Sequence, residues 1–170
     1  LLKVASPVSG KITDIIRGEK RKILSIKILA DENQVFKNSG CLNNSANRQD
    51  IIDFLLRTGC WPFIMQRPYA IIANYKSAPK SIFVSGYSSE PLSANLDFTL
   101  KDNKNEIQAA ISVLDKLTEG NVNVSVDKSS NSTFREIEDI VLYNVSGPHP
   151  CGNVGSLINK VDPVNKGESV

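Results

Sequence analysis

Metal chemistry has little to work with in this sequence. Its 170 residues include one histidine, His149, and three cysteines, Cys41, Cys60 and Cys151. No Cys-x-x-C pair occurs, which argues against a zinc or iron–sulfur centre built by this chain alone, and we assign no metal ligands. A single histidine would have to serve every catalytic triad that could be drawn, so none is drawn. Three widely spaced cysteines read as reduced thiols in a cytoplasmic setting. Charge of one sign is also lacking: 20 basic against 18 acidic residues leave a net +2, which gives no electrostatic case for nucleic acid. No apolar run approaches the roughly 18–20 residues that cross a bilayer. The opening Leu1-Leu2-Lys3-Val4 is no secretory leader, because charge and proline arrive within the first seven residues. It lacks an initiator methionine, and β structure is under way from Val4. We therefore expect a piece of a longer chain.

What is present is orderly. In Leu24-Ser25-Ile26-Lys27-Ile28 apolar and polar residues alternate, the two-residue period of a half-buried strand. With Lys11–Ile16 it predicts a hairpin whose polar turn, Arg17–Arg21, contains Gly18 to permit a positive φ. The polar stretch Asp31–Asn47 reads as a linker. Asn47 is placed to cap a helix whose Ile51, Ile52, Leu55 and Leu56 form one stripe, and Gly59 is placed to end it. In Trp61–Tyr69, Pro62 and Pro68 break regular structure, so this segment is expected to be a loop with aromatic anchors. From Ser81 the rhythm changes. A short buried strand is followed by a helix with Ile107, Ile111, Leu114 and Leu117 at helical spacing. Then come the alternating Val122, Val124 and Val126, a short helix at 133–138, and a strand over 139–145. This succession predicts βαβ units, a mainly parallel sheet and helices on both faces.

The last strand runs into Gly-Pro-His-Pro-Cys-Gly-Asn-Val-Gly, where α/β sheets bind ligands. Gly147, Gly152 and Gly155 have neither the dinucleotide spacing nor that of a P-loop, and two prolines remove donors a phosphate cradle would use. We read this loop as a proline-stiffened turn into a helix over 153–160, with His149 a fixed structural residue.

The segments SPVSGKITDIIRGEKRKILSIKI, TGCWPFIMQRPY, SIFVSGYSSEPLSANLD, LDKLTEG and GPHPCGNVGSLINKVDPV together are specific. In this order they resemble the A-subunits of the sodium-translocating NADH:quinone oxidoreductases, a family akin to the NADH-oxidising flavoprotein subunit of complex I. The resemblance implies an α/β fold. Residues 1–30 would belong to a barrel-sandwich-like β segment. Residues 31–80 would hold a linker, a helix and the aromatic loop, and 81–170 a Rossmann-like domain that continues further. It implies a peripheral subunit on the cytoplasmic side of a bacterial inner membrane. Its partners would be the other subunits, chiefly a membrane subunit, of a complex that passes electrons from NADH to ubiquinone and exports sodium. It also implies that flavins and the 2Fe-2S cluster lie in those sister subunits, with no redox cofactor here.

Two departures from the flavoprotein pattern support that last point. Where a glycine-rich loop holds the flavin phosphate, this chain has Phe63–Tyr69 with no glycine. Where an acidic motif follows the first Rossmann strand, only Glu90-Pro91 survives. Glu90, Pro91, Gly147 and Gly152 are thus read as positions of a degenerate nucleotide site. Trp61, Phe63, Arg67, Tyr69 and His149 are candidates for contact with quinone, since quinone sites combine an apolar slot with a few polar groups. The alternative is a working flavin- and NADH-binding dehydrogenase module. A lysine-modified carrier domain with Lys20 at the hairpin tip is a third reading.

Overall fold

The computed structural model describes residues 2–43 and 45–170. Leu1, and Asn44 within the polar stretch 31–47, lie outside the described residues. The predicted hairpin is present as antiparallel β1 (Gly10–Arg17) and β2 (Ile23–Ala30). One residue of β1, Thr13, stands opposite no residue of β2, so Ile12 faces Ile28 while Asp14 faces Lys27. This bulge places Ile12 and Ile15 on the same side as Ile26 and Ile28. On the other side Lys27 pairs with Asp14 at 3.6 Å.

The turn corrects the expectation for Gly18, whose φ is −95°. Lys20 and Arg21 take the positive φ values instead. Gly18 serves by being small: a Cβ there would lie 3.1 Å from the Leu24 side chain.

Helix α1 (Arg48–Thr58) starts and stops as its sequence dictates. The Asn47 side chain accepts from the Asp50 amide, the Asp50 carboxylate accepts from the Asn47 amide, and Gly59 ends the helix at φ 80°. Its Ile51 and Ile52 are buried with Trp61 and Leu117 in one apolar cluster. The aromatic segment is more regular than a loop. A 3-10 turn at Trp61–Phe63 leads into β3 (Met65–Gln66), which pairs antiparallel with β4 (Ile71–Ile72).

The parallel sheet has the order β5 (Ile82–Ser85), β6 (Val122–Asp127), β7 (Val141–Val145). Its register sets Val84 beside Val124 and Val124 beside Leu142. Counted in chain order after the short helix α2 (Leu96–Leu100), helix α3 (Lys104–Asp115) and the 3-10 turn Thr133–Glu136 cover this face, with Ile111, Phe134 and Ile137 against Val122, Val124 and Val126. The opposite face of β5 carries Ser81 and Ser85. They bond to Asp162 and to the Gly152 carbonyl, at the two ends of α4 (Val154–Val161). Helices therefore cover both faces, as the alternation predicts. Periodicity does not reveal α2, which is capped by Asn95 accepting from the Phe98 amide.

An ionic cluster ties α4 to β5. Lys80 Nζ meets Asp162, Glu168 and the Pro163 carbonyl. The Lys80 ammonium, then the Ser81 hydroxyl, hold the Asp162 carboxyl below its usual range. The Asn165 amide, then Lys80, do the same for Glu168, while Asp162 and then Glu168 raise Lys80. Depressed carboxyl pKa values contribute stability that is present above the unfolded values and lost as pH falls through the folded ones. A raised lysine pKa contributes below its unfolded value and loses that contribution as pH rises through the folded value. We expect the melting temperature to fall faster on acidification below about pH 4 in the native protein than in Lys80→Met. Indistinguishable acid limbs in thermal melts would refute this role for the cluster.

Candidate functional site

A cavity of about 380 Å³ opens beside β5, one of the two edge strands of the parallel sheet. Its floor is apolar, formed by Ile82, Val84, Leu114 and Leu117, with Val154 and Ile158 contributed by α4. The wall opposite comes from the 3-10 turn and β3, which bring in Trp61, Phe63, Met65 and Arg67. Trp61 is held rigidly. It is 4% exposed, its indole N–H donates to the Ala73 carbonyl at 2.8 Å, and its ring meets Tyr75 edge-on. Phe63 is 84% exposed, so it borders the cavity without anchoring the segment. The Arg67 amide donates to the Val170 carbonyl, which fixes the backbone that carries the guanidinium.

Of the five residues proposed for quinone contact, the fold brings three together: Trp61, Phe63 and Arg67 line this cavity. Tyr69 is 79% exposed and is not part of the lining. His149 lies at the carboxyl end of the sheet, where its Nδ1 is 3.2 Å from Ser89 Oγ. Of the aromatic anchors expected in Trp61–Tyr69, Trp61 alone is buried. The cavity also uses residues that sequence reading does not assign to a site, namely Met65, Val84, Val154 and Ile158. Segments distant in sequence supply them, and no local motif signals such a meeting.

A second, polar crevice of about 300 Å³ lies past the carboxyl ends of β5 and β6, lined by Gly86, Tyr87, Ser88, Asn95, Asp97 and Asp127 among others. This is where a doubly wound sheet receives ligands. The Ser129 hydroxyl and amide, and then the Tyr87 hydroxyl, keep the Asp127 carboxyl below its usual range. Burial first, then the electrostatic influence of Cys151 and Asp127, raises the Tyr87 phenol. Asp127 is legible as the acidic end of the Val122-Val124-Val126 alternation, although its role is not.

The degenerate-site positions have other occupations. Glu90 and Pro91 are exposed and do not line the crevice; the Glu90 carbonyl accepts from the Ser93 amide. Gly147 has φ 128°, and its carbonyl accepts from the Cys151 thiol. The Gly152 amide donates to Ser89 Oγ at 2.9 Å, and a Cβ on Gly152 would lie 2.5 Å from the Ser89 amide nitrogen. Cys151 and Asn153 amides turn to the Pro148 and Pro150 carbonyls. The proline-rich loop thus spends these donors within the protein. Among the described residues no group of three or more histidine, cysteine, aspartate or glutamate side chains could hold a metal ion.

Comparison with known families decides the kinship. Residues 46–170 match the NqrA second alpha/beta domain, and residues 2–31 match the NqrA N-terminal barrel-sandwich hybrid domain. The chain belongs to the NqrA family. A Saccharophagus degradans relative, named as the A-subunit of a Na(+)-translocating NADH-quinone reductase, is 34% identical over 99% of this chain and 38% of its own length. A Marinomonas relative of the same name is 33% identical over 97% of this chain and 37% of its own length. A Histophilus somni relative, also of that name, is 31% identical over 97% of this chain. The chain therefore spans a little over a third of the length of the curated NqrA relatives it matches.

Proposed function

We propose that this NqrA chain works within a Na(+)-translocating NADH-quinone reductase, as part of a peripheral subunit on the cytoplasmic face that carries no redox cofactor of its own. It docks sister subunits, chiefly a membrane subunit, and its edge-strand cavity contacts the quinone. The observation that carries the quinone reading is the meeting of Trp61, Phe63 and Arg67 at one apolar cavity beside β5. Its volume lies within the ~300–1,000 Å³ of small-molecule sites, and its lining pairs a flat apolar surface with few polar groups. Support for the cofactor-free reading comes from the polar crevice. A flavin or dinucleotide phosphate there would meet the carboxylates of Asp97 and Asp127, which repel an anion. The nearby Gly152 amide is already given to Ser89. No helix among the described residues is long and apolar enough to cross a membrane, which fits peripheral attachment.

Trp61 is the sole tryptophan, so its fluorescence reports on this cavity directly. Titration of the purified protein with a short-chain ubiquinone, corrected for ligand absorbance, is expected to give saturable quenching. FMN and NADH are expected to give none. Saturation by FMN or NADH would instead favour the dehydrogenase-module alternative, and no response to quinone would remove the quinone contact. The docking role is checked separately, by co-purification of the protein with the membrane subunits.

A further inference from the structure

Among the described residues, two side chains that line the cavity are cationic, Arg48 and Arg67, and none is an aspartate or glutamate. Arg48 is engaged: its Nε and Nη2 donate to the carbonyls of Leu117 and Ser77 at 3.4 and 3.0 Å. Arg67 is not. Its side chain is half-buried at the apolar wall, and among the described residues its guanidinium has no hydrogen-bond or ion-pair partner. An oxygen anion in the cavity would give this cation the charge-assisted partner that the described residues do not supply. The planar fork of the guanidinium suits two oxygens presented side by side.

Resting on the reading of this cavity as a quinone contact, we propose that its preferred ligand is an anionic quinonoid. Such a ligand is a flat ring bearing an ionised hydroxyl next to a carbonyl, with both oxygens held by Arg67. The ring lies along Trp61 and the apolar floor of Ile82 and Leu114. A neutral quinone makes the same apolar contacts but gives the guanidinium only a neutral acceptor, and charge-assisted hydrogen bonds are roughly twice as strong as neutral ones. An anionic oxygen therefore gains about 1.4 kcal/mol, or about tenfold in affinity.

The probes are 1,4-naphthoquinone and 2-hydroxy-1,4-naphthoquinone, the second ionised at neutral pH, followed through Trp61 fluorescence. The hydroxy compound is expected to bind about tenfold more tightly. Arg67→Gln is expected to abolish that preference, weakening the hydroxy compound about tenfold more than the neutral quinone, and Arg67→Lys to retain part of it. Among the described residues the Arg67 side chain holds no other, so the Gln variant is expected to melt like the native protein. Equal affinity of the two compounds for the native protein would overturn the proposal yet leave the quinone contact standing. Failure of both to bind would overturn both. A preference that survives Arg67→Gln would move the charge contact elsewhere and overturn the assignment. Decanoate is the third probe. If it competes as well as the hydroxy compound, the site is one for acyl carboxylates, and the quinonoid assignment is overturned.

Discussion

Replacing Ile52 with alanine is expected to destabilise the protein by about 2–5 kcal/mol, the largest effect predicted for any substitution considered for this chain. Ile52 is 1% exposed and packs in the cluster that holds Trp61 and Leu117. Removing its outer carbons loses their transfer energy and leaves a void, because neighbours fixed by α1 and by the Trp61–Ala73 hydrogen bond relax only in part. Small domains have only about 5–15 kcal/mol in total, so this loss is a substantial fraction. Urea unfolding measures it, and the accompanying change in Trp61 emission places the void. Leu56→Ala, on the same helix but less buried, is expected to lose less. Equal losses at the two positions would show that helix propensity, not packing, governs α1.

Gly152→Ala is the second large effect, expected at about 1–3 kcal/mol. The added methyl would sit 2.5 Å from the Ser89 amide nitrogen and 3.1 Å from the Ser88 carbonyl carbon, both backbone atoms. Relief requires the loop after β5 and the loop after β7 to separate. That motion breaks the Gly152-to-Ser89 bond and disturbs the Ser89 contact with His149. The variant is thus expected to lower the melting temperature and to speed hydrogen exchange at the Gly152 amide. The His149 ring signals should shift with it. Gly155→Ala is the control, since a Cβ there meets nothing within 4 Å. Matching behaviour of the two alanines would contradict a packing role for Gly152.

These two positions illustrate what the sequence discloses. The stripe of Ile51, Ile52, Leu55 and Leu56 between Asn47 and Gly59 announces α1, because caps and periodicity are local signals and the structure obeys them. The apolar runs of β5, β6 and β7 and the spacing of Ile107, Ile111 and Leu114 in α3 are local signals too, although α3 ends at Asp115 and leaves Leu117 beyond it. Helix α2 escapes notice because five residues are too few to display a period. The turn after β1 escapes because the demand for a small residue at Gly18 comes from Leu24, on the other strand. Phe63 and Tyr69 look like core residues by hydropathy, yet both are exposed; burial depends on what stands opposite, and the sequence does not say. Arg48 and Arg67 are chemically identical on paper. Only the fold reveals that one guanidinium donates to two carbonyls and that the other has no partner among the described residues.

The bulged Thr13 in β1 has a bearing on how this hairpin can change length. Side chains in a strand alternate, so an odd number of added or removed residues inverts everything beyond the change. Here one supernumerary residue lets isoleucines three apart, Ile12 and Ile15, share a side with Ile26 and Ile28. Excising Thr13 alone would close the bulge and leave Ile12, Asp14 and Ile15 alternating on the sides they already occupy, while excising Thr13 and Asp14 together would make Ile12 and Ile15 neighbours and swing Ile15 over to the surface that carries Lys27. The bulge is therefore the place where this strand can lose a single residue without inverting what lies beyond it.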